Sequence, residues 1–401
     1  MSVADIEVGF LFLGGAHQAL HAAPAAAELS CDRRLRVTCF VASDAERDVV
    51  AAVFEAWPEA RLHVEHLPAP HWARWIARLV PSLATLKLPR LLYSRRRLTM
   101  PVALVTTERT STVLRRFHLV QTHLLHIPHG AGDRARGFEP RLRYFDYVMV
   151  SGPKDAARMI SAGLVAPENC AVAGSIKMAA VARLRRDSGK LFANGRPIVL
   201  YNPHFSRDLG SWLPWGRRIL AEFAARQEFN LIFAPHVRLF EHCSAAEREE
   251  LQSLAVPGRI IVDPGSEYSH DMTYLDAADI YLGDVSSQVY EFLARPRPCV
   301  FLNTSGAAWR DNPDYACWRF GEVVDAWQDV MPAVQRAAAR HPEFAALQKE
   351  GVAAALGDDW LHAPARAAGL IRDFLAREEP ALRGRFHSPT AGTAVRDTAA
   401  V

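Results

Sequence analysis

Short β-rich apolar runs alternate with helical stretches along this chain, and after a polar break near the middle the alternation begins again. That pattern builds βαβ units and parallel sheets, because parallel neighbours need a crossover and a helix supplies it. In the first half, residues 8–13, 36–41, 61–64, 102–106, 123–127, 147–150 and 170–173 read as strands, with helices such as 21–29 and 45–56 between them. Residues 185–196, polar and containing glycine, form the best linker. Beyond it, 198–201, 231–233, 259–262, 279–282, 299–302 and 322–324 read as further strands. Residues 332–339, 342–349 and 364–376 read as helices, each opening on a proline that suits a first helical position. At 401 residues the chain exceeds one ordinary core. The expectation is an α/β protein of two doubly wound, Rossmann-like domains facing a central cleft, at residues 1–184 and 197–378, with a disordered tail at 379–401. Ligands of such sheets bind at the carboxyl ends of the strands, so two facing crevices merge into one site.

Composition narrows the class. Half the residues are apolar and 23% are charged, yet no apolar run approaches the roughly 18 residues of a membrane span. The N-terminus carries Asp5 and Glu7 ahead of a short apolar run and so lacks the basic opening and cleavage site of a secretory leader. Cys31, Cys39, Cys170, Cys243, Cys299 and Cys317 are scattered with no CxxC pair. This argues against structural zinc or a disulfide framework and fits a reducing, cytoplasmic setting. A net charge of +3 does not indicate a nucleic-acid binder. The charge is uneven, however. Between Glu65 and Glu108 there is no acidic residue, while Arg74, Arg78, Lys87, Arg90, Arg95, Arg96 and Arg97 fall there among Trp72, Trp75, Leu88, Leu91, Leu92 and Tyr93. Residues 72–97 therefore read as a basic amphipathic stretch suited to an anionic membrane surface, or as core-packing helices with a solvated basic face, interrupted at Pro81 and Pro89.

The residues that could carry chemistry stand just past predicted strands. In Ile127-Pro128-His129-Gly130-Ala131-Gly132-Asp133-Arg134, a tight turn holds His129 at the cleft edge, where it could take a proton near neutral pH. Gly130 and Gly132 let the backbone approach a ligand, and Arg134 adds a fixed positive charge. In Asp284-Val285-Ser286-Ser287-Gln288-Val289-Tyr290-Glu291, a serine caps a helix whose N–H groups suit a phosphate. Glu291, one turn on, could accept a ribose hydroxyl. His236 and Arg238 follow another strand and could donate to a diphosphate. Tyr201-Asn202-Pro203-His204 follows a fourth, and His17 follows the first. Alone, each is as readily a loop or an ordinary cap; together they face one expected cleft. No P-loop, GxGxxG, HExxH or GxSxG motif occurs, and the histidines lack the carboxylate company of a metal site, so neither metal nor cofactor is expected.

These clusters, in this order, resemble the CDP-glycerol glycerophosphotransferase family, the teichoic-acid polymerases and their capsule-related cousins. Pro128-His129-Gly130-Ala131-Gly132-Asp133-Arg134 looks like a divergent form of that family's Trp-His-Gly-Thr-Pro-x-Lys motif. Tyr201-Asn202-Pro203-His204 stands for its Tyr-x-Pro-Thr, Pro235-His236 for its Pro-His, and Asp284-Val285-Ser286-Ser287 nearly matches its Asp-Tyr-Ser-Ser. The similarity spans roughly residues 125–303. It implies a glycosyltransferase-B fold, no metal, and peripheral membrane attachment. It also implies His129 as base, with His236, Ser286 and Ser287 on the phosphates of a nucleotide-activated donor. The first domain would then hold the acceptor, an envelope polysaccharide or lipid-linked hydroxyl, and the second the donor. The departures at Pro128, Ala131, Gly132 and Arg134 fall on the acceptor side, so a sugar could move instead of glycerophosphate. Residues 145–151, 162–165 and 171–175 also resemble the non-hydrolysing UDP-N-acetylglucosamine 2-epimerases, although the double serine departs from their acidic, glycine-rich motif. An inactive nucleotide-sugar-binding module is the third alternative.

Overall fold

The computed structural model describes residues 6–79, 86–134, 137–184, 190–236, 238–241, 243–269 and 271–379. Two parallel sheets organise them. The first contains β1 (Ile6–Phe12), β2 (Leu35–Val41), β3 (Val64–His66), β4 (Ala103–Thr106), β5 (His123–His126), β6 (Tyr147–Val150) and β7 (Cys170–Val172), in the order β3-β2-β1-β4-β5-β6-β7. The second contains β8 (Ile198–Asn202), β9 (Asn230–Phe233), β10 (Ile260–Val262), β11 (Ile280–Gly283), β12 (Cys299–Leu302) and β13 (Glu322–Val324), in the order β10-β9-β8-β11-β12-β13. Every neighbouring pair is parallel. Helices cover both faces, which is why β4, β6, β9, β11 and β12 are buried end to end and apolar but for Thr106 and Asn230. The chain is thus an α/β protein of two Rossmann-like domains, the glycosyltransferase-B arrangement. Strand order reverses between β1 and β4 and again between β8 and β11, and each reversal opens a crevice at the carboxyl ends.

The structure moves several sequence boundaries. β3 begins at Val64, not 61, because the Arg61 guanidinium is drawn to the carbonyls of Ser30 and Asp32, closing the end of the helix Ala23–Ser30. The helix Val330–Arg340 starts ahead of Pro332, and Pro342 lies in a 3-10 turn before the helix Ala345–Leu356. The larger departure is the last helix, Ala363–Glu378, which sequence assigned to the second unit. Its Ala367, Ala368, Ile371, Phe374 and Leu375 pack into the core of the first sheet, beside β1, β4 and the helix Ala23–Ser30. Both helices are rich in alanine where they meet, which lets their backbones come close. The expected linker lies partly, at 185–189, outside the described residues; so does the expected tail from 380 onward.

Candidate active site

The loops after the strands of both sheets enclose one cavity of about 360 Å³. His17, His129, Gly130, Arg134, His204, His236, Arg238, Ser286, Ser287 and Glu291 all line it. Of the residues singled out in sequence, Pro203 does not; its carbonyl accepts the His236 N–H at 3.0 Å and ties the β8 loop to the β9 loop.

On the first-domain wall, the chain leaves β5 and turns at once at Gly130, whose φ of +92° favours glycine. The turn presents the His129 ring, and its Nδ1 donates to the Thr107 carbonyl at 2.8 Å. That bond settles the neutral tautomer and leaves Nε2 with a lone pair. The His129 ring is exposed to the cleft, and the protein mass of the surrounding walls is the main cause holding its pKa below its ordinary 6.5, with Arg109 and Lys87 acting in the same direction. His126 is anchored in the same way on Thr106, stacks on Phe145 with 4.5 Å between ring centroids, and is pushed down by burial to about 3. His21 meets His129 edge-on at 6.5 Å. The turn at Gly15 that leads into the short helix Ala16–Ala19, which bears His17, is fixed by Glu46. Glu46 accepts the N–H groups of Gly15, Ala42 and Ser43 while Ser43 accepts the Glu46 N–H, so one capping box starts the helix Asp44–Glu55 and holds the β1 loop.

The second-domain wall is rich in donors. The His204 Nδ1 accepts the Ser206 N–H at 3.0 Å, and the His236 Nδ1 accepts the Arg238 N–H at 3.2 Å. The two rings lie 5.7 Å apart with Phe205 against both, and the Arg238 guanidinium sits 4.4 Å from the Phe205 centroid. Arg134 reaches across to within 3.5 Å of His204 Nε2. The buried Asp284 accepts the N–H groups of His204 and Ser211 at 2.7 and 2.8 Å and so shapes the β8 loop; burial raises its pKa to about 7.

Four expectations change in detail. The helix after the double serine, Gln288–Phe292, has only five residues, so its dipole is small. Ser287 occupies the cap position without a side-chain cap bond; the Ser286 Oγ accepts the Gln288 N–H instead, at 3.2 Å. Gly130 and Gly132 are approached by the Ser287 side chain, and a Cβ on Gly130 would stand 3.1 Å from its Oγ. Glu291 already has a partner across the cleft: the Lys177 Nζ donates to it at 2.7 Å, in a buried ion pair joining the domains.

Sequence reasoning passed over Lys177, Arg109, Asp155 and His21, which also line the cavity. Arg109 stands past β4, Asp155 past β6 and Lys177 past β7, so the strand-end signal that marked the other clusters would have marked these too. Among the described residues, no group of three His, Cys, Asp or Glu side chains could hold a metal ion, and no helix is long and apolar enough to cross a membrane.

No protein-family model and no curated protein matches the chain. Solved structures do. S. aureus MnaA, in a co-structure with UDP, is 14% identical with a TM-score of 0.63, over 92% of this chain and 96% of that one. The Neisseria meningitidis UDP-GlcNAc 2-epimerase bound to UDP-GlcNAc is 14% identical with a TM-score of 0.58, over 92% and 100%. The wall teichoic acid polymerase TagF is 11% identical with a TM-score of 0.59, over 94% and 90%. At these identities the likeness shows a shared fold.

Proposed function

We propose that the chain is a metal-independent transferase that moves a glycerophosphate or sugar unit from a nucleotide-activated donor to a hydroxyl of a cell-envelope polysaccharide or lipid-linked acceptor. The observation that carries this reading is the placement of His129, a neutral imidazole with its Nε2 lone pair in the cavity, opposite a wall of His204, His236, Arg238, Ser286 and Ser287. The acceptor hydroxyl gives its proton to Nε2 as its oxygen attacks. For a sugar donor, the bond from the anomeric carbon to the diphosphate breaks and the nucleoside diphosphate leaves. For a CDP-glycerol donor, the attack falls on the distal phosphorus and CMP leaves. In both cases negative charge grows on phosphate oxygens, and the donors of the second wall neutralise it without reorganising. Solved structures of this fold with UDP, with UDP-GlcNAc and, for TagF, with CDPG support a nucleotide-activated donor. Residues 72–97 would carry the contact with an anionic membrane.

His129→Ala should lower turnover roughly 10²–10⁴-fold, the usual cost of losing a general base, with donor affinity nearly unchanged. Undiminished turnover of the variant would remove His129 from the chemistry. The rate should also be the same with and without EDTA.

The likeness to the 2-epimerase favours a second reading of the same cavity, as an isomerase of UDP-N-acetylglucosamine. Inversion at C2 breaks a C–H bond, so incubation in D₂O separates the two: deuterium at C2 of recovered UDP-N-acetylglucosamine supports the isomerase, and none supports the transferase.

A further inference from the structure

The loop after β5 belongs to the first domain but runs along the second. Asp133 accepts the Tyr290 hydroxyl and the Cys317 N–H there. A Cβ on Gly132, like one on Gly130, would stand within 3.5 Å of the Ser287 side chain. Arg134 follows directly, only partly buried, and lines the cavity. Its Nη1 is 3.5 Å from Nε2 of His204, a residue of the opposite wall. That approach brings donors together. A guanidinium carries hydrogens on every nitrogen and accepts from none. His204 already faces a second donor, because its Nδ1 receives the Ser206 N–H at 3.0 Å. A neutral imidazole has a single accepting nitrogen, so it serves one of these two and presents an N–H to the other. A protonated ring would accept from neither. The ring is nonetheless held in this position: the buried Asp284 ties its backbone N–H at 2.7 Å, and Phe205 packs on it with centroids 4.4 Å apart.

An oxygen that only accepts resolves this contact. Placed about 2.8 Å from both nitrogens, the usual length of a charge-assisted bond, it completes a triangle on their 3.5 Å separation. The surroundings favour an anion over a neutral acceptor. Arg134 brings a fixed charge, Arg238 lines the same cavity, and the His236 ring lies 5.7 Å from that of His204. A phosphate has oxygens enough to meet several of these donors at once, whereas a carbonyl or hydroxyl meets few. Position decides which phosphate it is. The glycines of this loop lie against Ser287, so Arg134 stands with the second-domain donors although its sequence belongs to the first domain.

We propose that Arg134 completes the donor-phosphate site from the first domain, holding with His204 one oxygen of the donor's diphosphate between the two walls. Arg134 then serves the donor and not the acceptor, and the site is whole only when the domains are closed. This rests on the second wall being the donor-phosphate site. Calorimetric titration of CDP, UDP, cytidine and uridine into wild type, Arg134→Met and Arg134→Lys tests it. Wild type should bind at least one diphosphate more tightly than its nucleoside. Arg134→Met keeps the aliphatic stem, and with it the local packing, but removes the charge and the donors. It should weaken that diphosphate about tenfold to hundredfold, as for a hydrogen bond to a charged group, and leave the nucleoside unchanged. Arg134→Lys keeps the charge without the planar fork and should lose less. Equal diphosphate affinity in Arg134→Met and wild type would overturn the proposal. So would equal losses for diphosphate and nucleoside, which mark a packing role. Failure of wild type to prefer either diphosphate over its nucleoside overturns the donor-phosphate reading of the second wall and this inference with it.

Discussion

His129 is held neutral at physiological pH, since the cleft walls around it and the charges of Arg109 and Lys87 keep its pKa below 6.5. A base works in its unprotonated form. Activity should therefore persist below pH 6.5 and fall only as the pH drops through the depressed value; an acid limb of kcat/KM at or above 6.5 would count against this residue. On the opposite wall, the Ser286 Oγ accepts the Gln288 N–H and its side chain also hydrogen-bonds Tyr281. Each serine hydroxyl lost against a charged phosphate costs about 1.5–3 kcal/mol. Ser286→Ala with Ser287→Ala should weaken nucleoside diphosphate binding by roughly two to four orders of magnitude, while the parent nucleoside binds both proteins alike. Unchanged diphosphate affinity in calorimetry would reduce the pair to local structure around a short helix.

The basic stretch resolves into two kinds of residue at the scale of elements. Leu91 and Leu98 are buried in the first domain's core, and Arg97 is bound to Glu7 and Glu65 at 2.6 and 2.8 Å while its guanidinium covers the Phe40 ring. Trp72 and Trp75 are 62% and 63% exposed, and Leu88, Leu92, Tyr93 and Met100 are exposed too. Pro81, part of the same expectation, lies outside the described residues. Neutral aromatic and aliphatic side chains beside Arg95 and Arg96 suit an anionic bilayer, and Arg97 is excluded from that role by its ion pairs. Trp72→Ala with Trp75→Ala, and separately Arg95→Glu with Arg96→Glu, should reduce sedimentation with anionic vesicles at low salt. Arg97→Glu should instead lower the melting temperature by placing a third carboxylate beside two others. Sedimentation of both double variants equal to wild type would leave these side chains as plain surface.

For the molecule as a whole, the cleft is held closed by Asp133 of the first domain. Its carboxylate accepts Lys154 Nζ and the Tyr290 hydroxyl, each at 2.6 Å, and the Cys317 N–H at 2.9 Å, so it spans both domains from a buried position. Asp133→Ala leaves the Tyr290 hydroxyl and the Cys317 N–H unpaired and takes the carboxylate from Lys154, which keeps only the Ala131 carbonyl as hydrogen-bond acceptor; breaking a buried pair in this way costs about 3–5 kcal/mol. Thermal unfolding should reflect that loss, and small-angle scattering should show a more open particle. An unaltered melting temperature and scattering profile would mean that packing alone sets the closure. Packing does contribute: a Cβ on Gly152, past β6, would stand 2.3 Å from the Ala354 carbonyl oxygen of the second half.

How much of this was legible in sequence follows from where the determining contacts lie. Strand against helix is set by local periodicity, and strands buried on both faces write a continuous apolar run, so β1, β2 and β4 to β13 stand within a residue or two of their sequence positions. Polar residues past those strands are equally local, which is why His129, His204, His236, Arg238, Ser286 and Ser287 were found and share one cavity. Contacts between residues far apart in the chain leave no such trace. The Lys177–Glu291 pair, the Asp133 latch, the Ser287 side chain against Gly130 and the return of the helix Ala363–Glu378 to the first sheet each join segments that periodicity treats as independent. The sequence by itself determined the two sheets and the chemistry at their edges. The tertiary structure alone decided which of those charged groups face each other, because a side chain's partner depends on how whole domains meet.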